Sequence, residues 1–468
     1  MNPLARLDQR HLWHPFTQMK DWLRTEPTVI VSGRGSVLRD AQGKKYLDAN
    51  SSIWTNLHGH AHPKINRAIE GQLKKISHSS ALGLANEPAS LLGAQLVRRA
   101  RGKGDPALSR VFFSDDGSTA MEVALKLAYE FARRSGRAKA PKFLSVGGAY
   151  HGDTIGAVSL GHIDLFHRSY KGLLFKSDSI ASPYCYRCPH NRAQPERRDA
   201  REYRKCGLEC LDHAARKFSA QRRKGADYAA LVVEPLMQGA AGMIAQPEGW
   251  LKGLAEIARA HGTQLIADEV MTGFGRSGIS AKGEAPLFAC QRAGVRPDYL
   301  ALAKGLTGGY LPMAATLTTD AVFSAFLGDY AEFKTFFHGH SYTGNQLGAA
   351  ASLASLDLLD GEESKASRRA LQASMGAELE RLWRLPQVGD IRRVGLMAGV
   401  ELVRDWRTRA PFDLRERVGI RVCEGMARRG VLTRPIGNVI VIMPPYCTTP
   451  GQMRKIARAL EESVKEIY

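Results

Sequence analysis

The sequence predicts an α/β protein: a doubly wound, mainly parallel sheet in a large domain, with a smaller α/β domain built from both ends of the chain. Three observations carry this expectation. Short apolar runs alternate with helix-period segments through residues 110–316. The runs at 228–233, 265–267 and 299–303 are almost wholly apolar, as buried strands are. Charged residues stand where these runs end, and sheets of this kind bind ligands at strand C-termini. A chain of 468 residues is long enough for two cores. The expected division is 1–69 with 346–468 for the smaller domain and 70–345 for the larger.

Composition excludes several classes. With 44% hydrophobic and 24% charged residues the chain reads as an ordinary soluble protein. No apolar run approaches the length that crosses a bilayer. Residues 1–10 carry Arg6, Asp8 and Arg10 without an apolar core, so no secretory signal is expected and the cytoplasm is the expected compartment. A net charge of +20 raises nucleic-acid binding. The basic residues are dispersed, however, and no nucleic-acid motif accompanies them, so neither nucleic acid nor membrane is an expected partner.

In chain order, residues 11–21 are polar, aromatic and broken by Pro15, which reads as an ordered arm rather than a helix. Residues 29–31, 37–39 and 45–48 read as short strands of a small antiparallel sheet. His58, His60 and His62 alternate, but no further ligand is spaced with them, so they read as structural. Residues 63–77 and 87–101 are amphipathic, and 111–114 is a strand. The helix that follows carries Met121, Ala124, Leu125 and Ala128 on one face, and Thr119 and Glu122 have capping-box spacing. Its N-terminus, at Gly117 and Ser118, reads either as a routine cap or as a phosphate cradle. Residues 142–146 form a strand that leads to Tyr150, an aromatic able to stack on a planar ring. Beyond the loop at 334–345, a helix is expected over 346–359 and strands over 395–403 and 439–443.

Two strand ends carry the chemistry. Lys304 ends the run 299–303 and precedes glycines 305, 308 and 309. Such a lysine is ordinarily a surface residue. Held at a buried strand end it loses solvation, its pKa falls, and its amine becomes a nucleophile suited to a Schiff base with pyridoxal phosphate. Asp268 ends the run 265–267. It reads as a turn or cap residue, or as the carboxylate that keeps a pyridine nitrogen protonated.

Residues 266–278, I-A-D-E-V-M-T-G-F-G-R-S-G, and 301–312, A-L-A-K-G-L-T-G-G-Y-L-P, together resemble the class III pyridoxal-phosphate aminotransferases of fold type I. Further likeness runs from residue 11 to about 446. The resemblance implies Lys304, Asp268 and Tyr150 as catalytic, with Gly117, Ser118, His340 and Ser341 also on the cofactor. Ser341 would reach the phosphate in a neighbouring subunit, which implies a homodimer.

Within the class, residues 11–19 and 432–440 resemble the biotin-pathway aminotransferases, the 7,8-diaminopelargonate synthases. Ala240 stands where ornithine and γ-aminobutyrate aminotransferases carry a glutamate switch. The likeness implies small-molecule substrates: 8-amino-7-oxononanoate as acceptor, and S-adenosylmethionine, or alternatively lysine, as amino donor. It implies Ile53, Trp54, Tyr150, Lys304, Gly339 and Arg434 along the substrate, with Arg434 on a carboxylate. Ile53 and Phe16 replace aromatic residues common in those enzymes, which leaves the donor open. Another class III ω-aminotransferase, or an idle scaffold on this fold, are the rival readings. Cys185, Cys188, Cys206 and Cys210 form two close pairs at spacing that raises zinc or an iron–sulfur cluster, but the second pair is C-x3-C and no metal is expected.

Overall fold

The computed structural model describes residues 1–101, 107–137, 140–225, 227–280 and 282–467. Its centre is a seven-stranded sheet. The strand order is Leu108–Ser114, Ala314–Thr319, Tyr299–Leu302, Gln264–Asp268, Tyr228–Val233, Lys142–Val146 and Asp178–Ile180. Neighbours from Tyr299–Leu302 to Asp178–Ile180 pair in parallel, and only Ala314–Thr319 runs against both of its neighbours. The central strands are apolar because both faces are covered: every residue of Tyr228–Val233, Gln264–Asp268 and Tyr299–Leu302 is buried. The helix Gly117–Arg134 lies across this sheet. Its buried set is wider than a single stripe, taking in Val123, Leu127 and Phe131 beside the expected Met121, Ala124, Leu125 and Ala128.

Two smaller sheets join the ends of the chain. Ile30–Arg34, Val37–Asp40 and Lys45–Asp48 pair antiparallel as expected, and Val431–Leu432 adds a parallel fourth strand. That last pairing ties the first fifty residues to the C-terminal region. A second sheet holds Val388–Val394, Met397–Asp405, Val439–Ile442 and Pro435–Ile436, with Ala410–Pro411 beside Met397–Asp405. The helix Gln346–Asp360 packs on Pro63–Leu73 and Glu87–Ala100.

Three local expectations change. The arm expected over 11–21 is irregular through residues 12–18, but Pro3–His11 is helical up to its start and Met19–Trp22 makes one turn at its end, started by the Gln18 side chain on the Lys20 N–H. The helix expected over 63–77 stops at Leu73. The capping box on Gly117–Arg134 belongs to Asp116 and Thr119, one turn earlier than the Thr119–Glu122 spacing suggested. Glu122 instead faces the next segment, accepting from Thr154 Oγ1 at 2.6 Å and from the Gly156 N–H at 2.8 Å.

Candidate active site

Lys304 leaves the end of Tyr299–Leu302 in a left-handed conformation, φ 46°, and starts a single 3-10 turn. Asp268 ends the adjacent parallel strand, in register with Ala301. The two side chains therefore arise side by side at the C-terminal edge of the sheet. Burial lowers the pKa of Lys304, partly offset by the nearby carboxylates of Asp268 and Glu234. The amine is thus easier to deprotonate than an exposed lysine.

Asp268 is held from behind. His151 Nδ1 lies 2.7 Å from its Oδ2, and the Val270 N–H donates to Oδ1 at 3.1 Å. Burial opposes a charge on His151, but the bond and charge of Asp268 win and its pKa rises. His151 and Asp268 thus form a close, buried pair behind the strand end.

Glu234, at the end of Tyr228–Val233, accepts from the Tyr150 N–H at 3.3 Å and the Gly239 N–H at 2.7 Å. Burial pushes it up to about 7, with the Asp268 charge adding to the effect. Neither Glu234 nor His151 was a sequence candidate. The signal for Glu234 was the one that marked Asp268, a carboxylate closing an apolar strand. His151 offered only adjacency to Tyr150.

Tyr150 donates its hydroxyl to Asp153 Oδ2 at 2.6 Å, and the Asp153 N–H donates to Ser118 Oγ at 3.0 Å. This couples the aromatic to the start of Gly117–Arg134. A Cβ at Gly117 would lie 2.7 Å from Val270 Cγ1, so glycine lets the helix N-terminus approach the turn that follows Asp268. The first-turn N–H groups of a helix have no partner within it and carry partial positive charge, which suits a phosphate.

Trp54 closes the other side. Its ring centroid is 4.6 Å from Lys304 Nζ, and a Cβ at Gly239 would lie 3.2 Å from its Cζ3. Its Nε1 is buried without a hydrogen-bond partner among the described residues. Ser51, Ser52, Ile53 and Trp54 all have positive φ, between 47° and 69°. One left-handed turn thus carries Trp54 into the site, at roughly 1–2 kcal/mol per residue. Amine, carboxylate, aromatic, helix N-terminus and unpartnered indole fit pyridoxal phosphate.

The remaining candidates lie further out. Ile53 and Arg434 are exposed. Phe16 is exposed too, with its ring edge-on to Phe166 at 5.3 Å. Gly339 and Ser341 sit on an exposed loop; the Ser341 carbonyl is 2.7 Å from His78 Nε2, and His340 Nδ1 is 3.4 Å from Asp115. The alternating histidines have structural contacts: His58 to Ser355 at 2.9 Å, His60 to Asp48 at 3.0 Å, and His62 at the start of Pro63–Leu73. Cys185, Cys188, Cys206 and Cys210 are free thiols. Asn191 ties their two segments, its amide donating to the Cys185 carbonyl and its Oδ1 accepting from the Lys205 N–H. Among the described residues no three His, Cys, Asp or Glu side chains converge as a metal-holding group.

Residues 19–464 match the aminotransferase class-III family. The chain is 48% identical to an adenosylmethionine-8-amino-7-oxononanoate aminotransferase of Geobacter sulfurreducens, over 98% of this chain and 97% of that one. The crystal structure of the protein of that name from Methanocaldococcus jannaschii is 39% identical with a TM-score of 0.88, covering 99% of this chain and 98% of that one. An amine transaminase from an uncultivated Pseudomonas species, solved with pyridoxal phosphate bound, is 32% identical with a TM-score of 0.86, covering 97% and 98%. The chain belongs to the class III aminotransferases, the pyridoxal-phosphate-dependent enzymes whose fold and strand-end chemistry it shares.

Proposed function

We propose that the chain transfers an amino group to 8-amino-7-oxononanoate, giving 7,8-diaminononanoate for biotin synthesis, with S-adenosylmethionine as donor. The observation that carries this reading is near-full-length identity of 48% to a relative named for that reaction. The substrate-side residues of the reading are Ile53, Trp54, Tyr150, Lys304, Gly339 and Arg434.

The geometry supports a role for each residue. Pyridoxal phosphate, when bound, supplies an electrophilic carbonyl and a ring that withdraws electrons from the reacting carbon. Lys304 Nζ would hold that carbonyl, and its amine would move the proton between the donor carbon and the acceptor side. Asp268, held in place by His151, would hold the ring nitrogen. Tyr150 would stack on the ring, and Gly117 and Ser118 would hold the phosphate at the helix N-terminus. Arg434 takes the acceptor carboxylate in a bidentate pair, its exposure leaving the guanidinium free to do so.

The working form in this reading is a cytoplasmic homodimer, with His340 and Ser341 completing the partner's phosphate site. Support comes from the exposed loop that carries them and from bare apolar side chains such as Trp13, Leu82 and Phe337. Among the described residues no helix is long and apolar enough to cross a membrane. The division into 1–69 with 346–468 and 70–345 belongs to the same reading; the pairing of Val431–Leu432 with Lys45–Asp48 supports it.

A second donor reading has its own support. Ile53 offers no stacking plane, and Phe16 lacks a hydroxyl, both of which favour lysine over the adenosyl group. Comparing kcat/KM for S-adenosylmethionine and lysine, with 8-amino-7-oxononanoate as acceptor, tests the proposal. Preference for S-adenosylmethionine supports it. Preference for lysine replaces the donor, and turnover with neither sinks the assignment.

A further inference from the structure

The turn that carries Ile53 and Trp54 runs against the conformational preference of every residue in it. Ser51, Ser52, Ile53 and Trp54 have φ of 47°, 48°, 64° and 69°. None is glycine, and Ile53 is β-branched, the type least tolerant of this region. The turn closes with left-handed helical bonds, the Trp54 N–H to the Asn50 carbonyl at 2.8 Å and the Thr55 N–H to the Ser51 carbonyl at 2.9 Å. A conformation of this cost persists only where the surroundings over-determine it.

One carboxylate takes several of the bonds that hold the turn. Asp48, buried at the end of Lys45–Asp48, accepts the Asn50 N–H at 3.2 Å, the Ser52 N–H at 3.0 Å and Ser52 Oγ at 2.9 Å. His60 Nε2 donates to the same carboxylate at 3.0 Å. The donor role follows from the other ring nitrogen, which takes the Asn56 amide at 3.1 Å. His60 is itself pinned, exchanging backbone hydrogen bonds with Gly35 at 2.7 and 3.0 Å. From the far side Ser51 Oγ donates to the Met443 carbonyl at 2.7 Å.

We infer that Asp48 and His60 are positioning residues for the substrate wall: they hold the left-handed turn that sets the Trp54 ring over Lys304. The inference rests on the proposed placement of Ile53 and Trp54 along the substrate. It concerns residues that touch neither cofactor nor substrate and act only through the turn.

A glycine placed within the turn provides the discriminating test, because glycine enters the left-handed region freely. The holoenzyme is compared as parent, Asp48→Asn, His60→Gln and the double variant Asp48→Asn/Ser52→Gly. Asp48→Asn is expected to lower kcat/KM roughly tenfold to hundredfold, as a displaced wall does, mostly through KM and with cofactor absorbance retained. His60→Gln, which exchanges the rigid ring donor for a flexible amide and gives up the fixed tautomer, is expected to lose about three- to tenfold and serves if Asp48→Asn does not fold. The added glycine should recover at least about threefold of the Asp48→Asn loss. A second readout is independent of turnover: Trp54 emission, isolated by subtracting the matching Trp54→Phe protein. It should shift to the red in Asp48→Asn and return in the double variant. Unchanged kcat/KM and emission in Asp48→Asn, or a glycine that restores neither, would overturn the inference. If the parent itself fails to transaminate, the proposed function falls, and the emission arm still decides whether the clamp holds the turn.

Discussion

The sheet edge and the outer rim of the site are built on opposite terms. Lys304, Asp268 and Glu234 each end a strand whose residues are all buried, and their positions follow from neighbouring strand registers. Phe16, Ile53, Ser341 and Arg434 are exposed, on an arm, a strained turn, a loop and a strand end. The residues proposed for the chemistry thus sit where packing leaves no freedom. Those proposed to choose the substrate include side chains that one chain leaves uncovered. The difference teaches that, in the proposed reading, reaction type and substrate preference can be perturbed separately.

The largest effect belongs to the sheet edge. Lys304→Ala should lower kcat by at least about a thousandfold, with circular dichroism and Tm little changed, since it removes the amine that lies near Asp268 and Glu234. Appreciable turnover in single-turnover assays would end the contrast. At the rim, Arg434→Ala should raise KM for 8-amino-7-oxononanoate about ten- to hundredfold, the worth of a charge-assisted pair, while kcat stays within a few-fold. A loss confined to kcat would place Arg434 in the chemistry instead. Ile53→Trp should be smaller again, moving the ratio of kcat/KM for S-adenosylmethionine over lysine upward by roughly three- to tenfold. A fall in that ratio would remove Ile53 as a donor-side wall.

The strand ends were legible because their signal is local. A continuous apolar run followed by a charged residue and glycines identifies a buried strand with a functional end, as at 299–305 and 264–268. The helix at Gly117 was legible for the same reason, though its capping box, Asp116 with Thr119, lies one turn before the Thr119–Glu122 spacing. What the sequence hid was contact across distance. Glu122 meets Thr154, Asp48 meets His60, and Trp54 meets Gly239 only once the chain has folded. The left-handed turn was invisible for a further reason. Positive φ is normally announced by glycine or asparagine, and here the compensation lies in the Asp48 carboxylate rather than in the residues of the turn.

Glu234 sharpens the comparison through pH. Its folded pKa of about 7 lies above the ordinary value of 4.5, so the folded chain holds a proton that the unfolded chain releases. Its contribution to stability is therefore most favourable below about 4.5 and is lost as pH rises through 7. Glu234→Gln removes the titration. The Tm difference between variant and parent should move in the variant's favour by a few degrees between pH 5 and pH 8, the smallest of these effects. A difference independent of pH would show that Glu234 does not titrate in that window.

The separation of chemistry from recognition is tested most directly by locating the cofactor on the chain. The purified holoenzyme is reduced with borohydride, digested, and the pyridoxal-phosphate-bearing peptide sequenced by mass spectrometry. The account expects a single modified residue, Lys304, in the peptide that follows Asp298 and the buried strand Tyr299–Leu302. Modification of any lysine away from that strand end, or no modification in active enzyme, would contradict it.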